Sequence, residues 1–456
     1  MNTTFRRPAL PHTSFLRMFL ALCLPLVLQN MITLGVNLAD NIMLGSFSEA
    51  ALSGAAAVNQ VQFIYQQLLM ALGDGIVMIC SQYWGRGQTS PMKKITAFGL
   101  RIAIGIAIVL FLAVSFFPVQ VLHLFTTDAA ITAEGVRYLT IIRFSYLFFA
   151  VTQISLASMR SVGTVHIAFR LSIQTLIVNC CINYVLIFGH FGAPRLGIAG
   201  AAIGTLTARI LEAAAAVFYL LRRDLSIKMK VADLFQTDPL LSRDYIRITA
   251  PMMVVSGLWG LNTAMQTVIL GHMTSEAIAA NSASSTLFLL VKAMPSGASA
   301  AAAILIGRKI GEGNLPEVKK DAVRLQRIFL TIGILCGLLL FFIRIPVLSL
   351  YDLSANTLAM ANSFLIALSI FTVTMSYQMP TNNGIIRGGG NPGFVVRMDL
   401  ISIWGIVIPL SLFMAFVVKA SPLTVVCCLN ADQVFKCVPA FIKANYGSWI
   451  RKLTRD

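Results

Sequence analysis

Apolar stretches of about 20 residues or more recur along the whole chain, broken by short polar segments. Each stretch is long enough to cross a hydrocarbon core of about 30 Å as a helix. The pattern predicts twelve such helices, at 15–42, 52–80, 95–117, 136–158, 165–189, 197–221, 246–270, 277–306, 324–345, 357–384, 395–418 and 423–442. The first run follows only a short polar segment and no small-residue cleavage site comes after it, so it reads as a retained helix. The longest polar interruption inside the chain, Arg222 to Asp244 with Pro239 near its end, reads as a linker. It divides the chain into a six-helix bundle at 1–221, a linker at 222–245 and a second six-helix bundle at 246–456.

The two halves repeat one another. Pro25 and Pro251, Gly45 and Gly271, Gly85 and Gly311, and Gly87 and Gly313 are each 226 residues apart. Arg160 and Arg387, Gly163 and Gly390, and Arg170 and Arg397 are each 227 apart. Six helices per half give both halves the same orientation, so the expected relation is a pseudo-two-fold axis along the membrane normal, with a cavity between the halves. The fold class is therefore an all-α polytopic membrane protein.

Composition sharpens this picture. The chain has 456 residues, 57% hydrophobic and 12% charged, which sets it apart from soluble domains. Its net charge of +17 does not point to nucleic acid, because the basic residues gather in alternate loops. Of the 35 Lys and Arg, 27 fall in one set of segments, beginning with Arg6, Arg7 and Arg17 and ending with Arg455; the opposite loops hold Arg137, Arg195, Arg344 and Lys419. The positive-inside rule then predicts both termini in the cytoplasm and an even helix count, and the expected location is the plasma membrane. The eight cysteines form no CxxC or Cys/His metal spacing and read as small packing residues. No P-loop, nucleophile elbow or His/Glu metal box is present, so neither catalysis nor ATP is expected to drive the protein. The expected partners are the bilayer and a small-molecule substrate, and the expected state is a monomer.

Polar residues inside apolar helices are the candidate functional groups. Asn30, Thr33, Asn37 and Asp40 are spaced 3, 4 and 3, which puts them on one face of the first helix. An intramembrane aspartate costs roughly 3 kcal/mol on insertion scales and usually faces protein or a watery cavity. The stripe is expected to line a substrate cavity with Asp40 holding the coupling ion; the plainer alternative is that Asp40 caps the helix mouth. In the second helix Asn59, Gln62 and Gln66 form another stripe, expected to line the substrate cavity. Asp74 is a second intramembrane acid, expected either as an auxiliary ion-coupling group or as the structural partner of a cation such as Arg143 or Arg209. Asn179 and Asn183 are i,i+4 neighbours that could complete an oxygen cage with Asp40, with Thr205 contributing a hydroxyl. Arg209 and Glu212 are spaced to satisfy each other. Lys292 interrupts the eighth helix, with Asp399 or Asp432 as its expected counter-charge and Trp259 on the cavity wall, while Asp432 and Lys436 are spaced for a bridge of their own.

Several motifs resemble those of the multidrug and toxic compound extrusion (MATE) transporters. They are Pro25, the run Ala39 to Gly45, Ser81-Gln-Tyr-Trp-Gly-Arg-Gly87, and Arg160-Ser-Val-Gly163. The run from Asn179 to Gly189, Gly197-Ile-Ala-Gly-Ala-Ala202 and Ile386-Arg-Gly-Gly-Gly-Asn-Pro392 complete the set. The resemblance implies two bundles forming a V and export of organic cations or other amphiphiles in exchange for H⁺ or Na⁺, with no cofactor and no metal beyond a Na⁺ at Asp40. It places Asp40 at the family's first-helix coupling acid and Asn179 at its fifth-helix asparagine. Many relatives carry aspartate four residues later, where this chain has Asn183, an amide that can ligate but not titrate. Acids that another branch places in helices 7 and 10 are replaced by Trp259 and Ser376, so coupling is expected in the N-terminal half. The alternatives are a flippase or exporter of a lipid-linked or other anionic metabolite, and a non-transporting scaffold or receptor.

Overall fold

The computed structural model describes residues 15–126, 128–349 and 354–455. Arg6 and Arg7, which enter the orientation argument, lie outside the described residues. In chain order the α-helices are α1 (Phe15–Phe47), α2 (Glu49–Gly85), α3 (Thr89–Phe116), α4 (Pro118–His123), α5 (Ala129–Ile142), α6 (Ser145–Ser161), α7 (His166–Phe188), α8 (Ile198–Phe218) and α9 (Pro239–Gly271). They continue as α10 (Ser275–Glu312), α11 (Leu315–Leu348), α12 (Ala355–Met379), α13 (Pro392–Asp399), α14 (Ile408–Leu412), α15 (Pro422–Leu429), α16 (Asp432–Phe435) and α17 (Cys437–Asn445).

Among the described residues, ten helical stretches are long and apolar enough to span a bilayer, and α5 with α6, bent by 56°, makes an eleventh. The 33-residue α9 supplies the twelfth. The fourth span is thus two helices rather than the single one expected at 136–158. Its bend falls at Arg143, whose guanidinium lies over the rings of Phe111 and Phe144, 5.6 and 5.2 Å from their centroids. The eleventh span is likewise interrupted, by π-helical turns at Leu400–Val407 and Phe413–Val417. Such turns leave the i→i−4 ladder while keeping every backbone group bonded within the segment, as lipid requires. On α11 the large apolar residues Leu335, Leu338, Leu339, Phe342 and Ile345 face outward and are exposed. An apolar outer face is the solution for a helix whose solvent is hydrocarbon.

Residues Leu28–Cys80 and Gln88–Thr249 form one compact unit; Met1–Val27, Ser81–Gly87 and Ala250–Asp456 form the other. The first helix of each repeat therefore changes unit close to its proline, α1 after Val27 and α9 after Thr249, with Pro25 and Pro251 inside the respective helices. Proline removes an intrahelical donor and crowds the preceding turn, which suits it to a point where a helix leaves one packing environment for another.

Repeat-related glycines share their geometry. Gly87 and Gly313 have φ of +75° and +85°, and Gly163 and Gly390 have +87° and +95°, values that side chains with a Cβ rarely adopt. Gly85 and Gly311 lie against each other: a Cβ on Gly85 would meet the Arg308 carbonyl, and one on Gly311 the Gln82 carbonyl.

The polar segment 222–245 is anchored in the unit that holds α3. Lys93 bridges Asp233 at 2.9 Å, Lys94 bridges Asp238 at 3.2 Å, and Arg101 donates to the carbonyls of Leu234 and Gln236 at 2.7 and 3.0 Å. Desolvation works against the Asp233 carboxylate, yet hydrogen bonds from Lys93 and the Lys230 backbone hold it below the usual carboxylate range. Asp238 is lowered too, chiefly by the Leu241 backbone N–H.

Candidate functional site

The expected amide–carboxylate cluster forms. Within the unit containing α7 and α8, Asn183 Nδ2 donates to Asp40 Oδ1 at 2.6 Å and to Asn179 Oδ1 at 3.2 Å. Asn179 Nδ2 donates in turn to Thr205 Oγ1 at 3.1 Å. The line Asp40–Asn183–Asn179–Thr205 thus runs from α1 across α7 to α8. Asn183 and Asn179 are 0% and 1% exposed, whereas Asp40 is only half-buried, so the carboxylate stands at the accessible end of a buried amide chain.

Close packing of α7 on α8 makes this possible. The Asn183 side chain lies directly over Gly204, and a Cβ there would occupy the place of its Oδ1. That Oδ1 is buried and accepts no hydrogen bond among the described residues. Tyr138 of α5 and Arg209 of α8 lie within electrostatic range of Asp40. Arg209 is itself committed: its Nη1 is 2.8 Å from Glu212 Oε2, as the three-residue spacing predicts, and its guanidinium lies 4.7 Å from the Phe149 ring centroid. The charge beside Asp40 is therefore largely neutralised, and amides make the direct contacts. Tyr138 and Gly204 carry no signal in the sequence that marks them for this site, since either reads as ordinary helix packing.

The other expected residues do not join this cluster. On α1, Asn30 is half-buried, Asn37 exposed, and the Thr33 hydroxyl donates back to the Gln29 carbonyl at 3.0 Å. On α2, Asn59 is exposed and Gln62 and Gln66 are half-buried. Among the described residues Asp74 is not seen paired with Arg143 or Arg209, which are engaged as described; a cation it acts on is Arg160, at the end of α6. The reason is packing of α2 on α6 at Gly73, where a Cβ would lie 3.2 Å from that of Ala157 and 3.6 Å from the Arg160 guanidinium.

A second polar group lies in the other unit and departs from expectation. Lys436 Nζ, 4% exposed at the side chain, contacts Asp399 Oδ1 at 2.8 Å and Asp432 Oδ2 at 2.9 Å. The expected Asp432–Lys436 bridge is thus a three-member group, and both acids assigned to Lys292 belong to Lys436. Lys292 instead places its ammonium 4.5 Å from the centroid of the Trp259 ring. Beside this group, Gln433 donates to Asp432 at 2.9 Å, Gln378 to Gln433 at 2.8 Å and Asn382 to Gln378 at 3.0 Å. Gln378, Asn382 and Gln433 were not singled out by sequence reasoning, although Gln378 and Asn382 share the i,i+4 spacing within the predicted helix 357–384; Gln433 lies in a different helix.

The MatE family's sequence profile matches residues 25–185 and again 251–413, one match in each half. A Thermotoga maritima protein described as a probable multidrug resistance protein NorM is 22% identical over 437 residues, covering 95% of this chain and 94% of that protein. The uncharacterized transporter YisQ of Bacillus subtilis is 24% identical over 374 residues, 82% of each chain. Among solved structures, a MATE protein crystallised in complex with MaL6 superposes with a TM-score of 0.86 at 14% identity, covering 94% of this chain and 95% of that one. With a matching profile in both repeats and a superposable fold, this chain belongs to the MatE family of multi-pass membrane transporters, the multidrug and toxic compound extrusion proteins.

Proposed function

We propose that the chain is a secondary antiporter that exports organic cations or other amphiphilic molecules in exchange for H⁺ or Na⁺, with Asp40 as the coupling group. The observation that carries this is the 2.6 Å contact of Asn183 Nδ2 with Asp40 Oδ1: an acid inside an apolar bundle held by a neutral amide. Such a carboxylate can take up and release a cation without breaking a salt bridge. The Asn183 Oδ1, buried with no donor among the described residues, adds a second oxygen suited to that cation. An orphaned buried acceptor costs about 1–3 kcal/mol, which a bound ion relieves.

The cycle follows from competition for one carboxylate. Ion binding neutralises Asp40 and releases a cationic substrate, and loss of the ion restores the charge that attracts the next one. Helix α1, which changes unit near Pro25, is the element that carries Asp40 through the change. Moving one charge through 100 mV supplies about 2.3 kcal/mol, or roughly fifty-fold accumulation. The positive-inside pattern supports a plasma-membrane orientation with both termini cytoplasmic.

The test is uptake of a fluorescent organic cation into proteoliposomes under imposed pH or Na⁺ gradients. Asp40→Asn should insert and fold but lose gradient-driven accumulation. Normal accumulation by that variant would remove Asp40 from the mechanism, and no uptake by the native chain under either gradient would overturn antiport.

A further inference from the structure

Lys292 presents a charge with no hydrogen-bond acceptor among the described residues. A lysine ammonium carries three N–H donors, and Lys292 directs none of them to an acceptor among the described residues. It lies instead over the π-face of Trp259, 4.5 Å from the ring centroid. Asp432 is near enough to act on it electrostatically, yet its Oδ2 and one Asp399 oxygen both close on Lys436 at under 3 Å. Lys292 as a whole residue is half-buried.

A second orphan lies one turn away. Asn262 follows Trp259 by three residues on α9, which puts the two on the same helix face. It is 6% exposed, and its Oδ1 has no hydrogen-bond partner among the described residues. A cation with free donors, an indole face and an unpartnered amide thus gather around Trp259. Intramembrane charge and buried amides are each costly when unpaired, so this collection points to an occupant that supplies what is missing.

We propose that Lys292, Trp259 and Asn262 form a binding site for the carboxylate end of an aromatic amphiphile. The ammonium pairs with the carboxylate through charge-assisted hydrogen bonds, the indole packs on the adjoining ring, and the Asn262 amide meets a polar substituent. This rests on the reading of the chain as an amphiphile exporter and narrows its substrates towards aromatic amphiphiles that carry a carboxylate.

The test compares two forms of one xanthene dye, the free benzoate and its ethyl ester, in equilibrium binding to the protein in phosphatidylcholine nanodiscs. The native chain should bind the acid about tenfold or more tightly than the ester, the scale of one hydrogen bond to a charged group. Lys292→Met should bring the acid-to-ester ratio close to one, and Lys292→Arg should keep most of it. Because each ratio is taken within one variant, a general loss of binding does not mimic the effect. Equal binding of the two dyes by the native chain, or an unchanged ratio in Lys292→Met, would overturn the proposal. Loss of the preference on adding phosphatidylglycerol would reassign the ammonium to a lipid headgroup and overturn it too. The readout needs no ion gradient, so it can fail while antiport stands, and ester transport can fail while the carboxylate preference stands.

Discussion

Asp40 in one unit and the Asp399–Lys436–Asp432 group in the other are both acids placed inside apolar helices, and they are satisfied in opposite ways. Asp40 meets the amide of Asn183 at 2.6 Å, while Asp399 and Asp432 meet one buried ammonium at 2.8 and 2.9 Å. A carboxylate held by amides keeps its hydrogen bond partner whether or not it carries an ion. Carboxylates closed on a lysine depend on it, because removing either partner strands the other's charge in a low-dielectric site. The repeat makes the contrast sharper. At the offsets of the flanking motifs, Asp40 corresponds to Gln266, and Asn179 and Asn183 to Ile406 and Leu410. One half holds its acid with amides, and the other closes its acids on a lysine.

The most severe way to break this comparison is Lys436→Met. It leaves two buried acids without their cation and should cost about 3–5 kcal/mol of stability, read as a lowered unfolding midpoint in detergent. Replacing Lys436, Asp399 and Asp432 together by apolar residues should recover most of that loss, since buried ion groups are often dispensable as a set. A loss below about 1 kcal/mol for the single variant would place the group among weak surface-like pairs instead.

Asp40→Asn should behave in the reverse manner. The fold survives, because an amide replaces a carboxylate among amides, while roughly fifty-fold accumulation per charge, about 2.3 kcal/mol at 100 mV, is lost. Asn183→Leu tests the same site more gently. It removes the donor to Asp40 and the free Oδ1, and should lower exchange at a fixed gradient and shift the ion concentration for half-maximal exchange by about tenfold, or 1.4 kcal/mol. An unchanged ion dependence would separate the amides from coupling and leave them as interhelical glue.

The smallest effect belongs to the polar segment. Asp233 is held below the usual carboxylate range by Lys93 and the Lys230 backbone, so its stabilisation is complete above the ordinary carboxylate pKa of about 3.9. It fades as pH falls through the lowered folded value. Asp233→Asn should lower neutral-pH stability by less than about 1 kcal/mol, and the gap from the native chain should close as pH falls, flattening the acid limb of the stability–pH curve.

Periodicity and composition alone determined that the chain is a twelve-span helical membrane protein built as two repeats, because lipid permits few other ways to satisfy a backbone. The one-face spacing of Asn179 and Asn183, and of Arg209 and Glu212, was legible for the same reason: neighbours on one helix are fixed by 3.6 residues per turn. Partners on different helices were not. That Asp74 acts on Arg160, that Lys436 takes both Asp399 and Asp432, and that Lys292 is left over Trp259 depend on which helices pack and at what height. Close contacts such as Gly73 against Ala157 and Gly204 under Asn183 set those heights, and no spacing along the chain encodes them. Tertiary structure therefore decided which buried charges were cancelled and which stayed available for work.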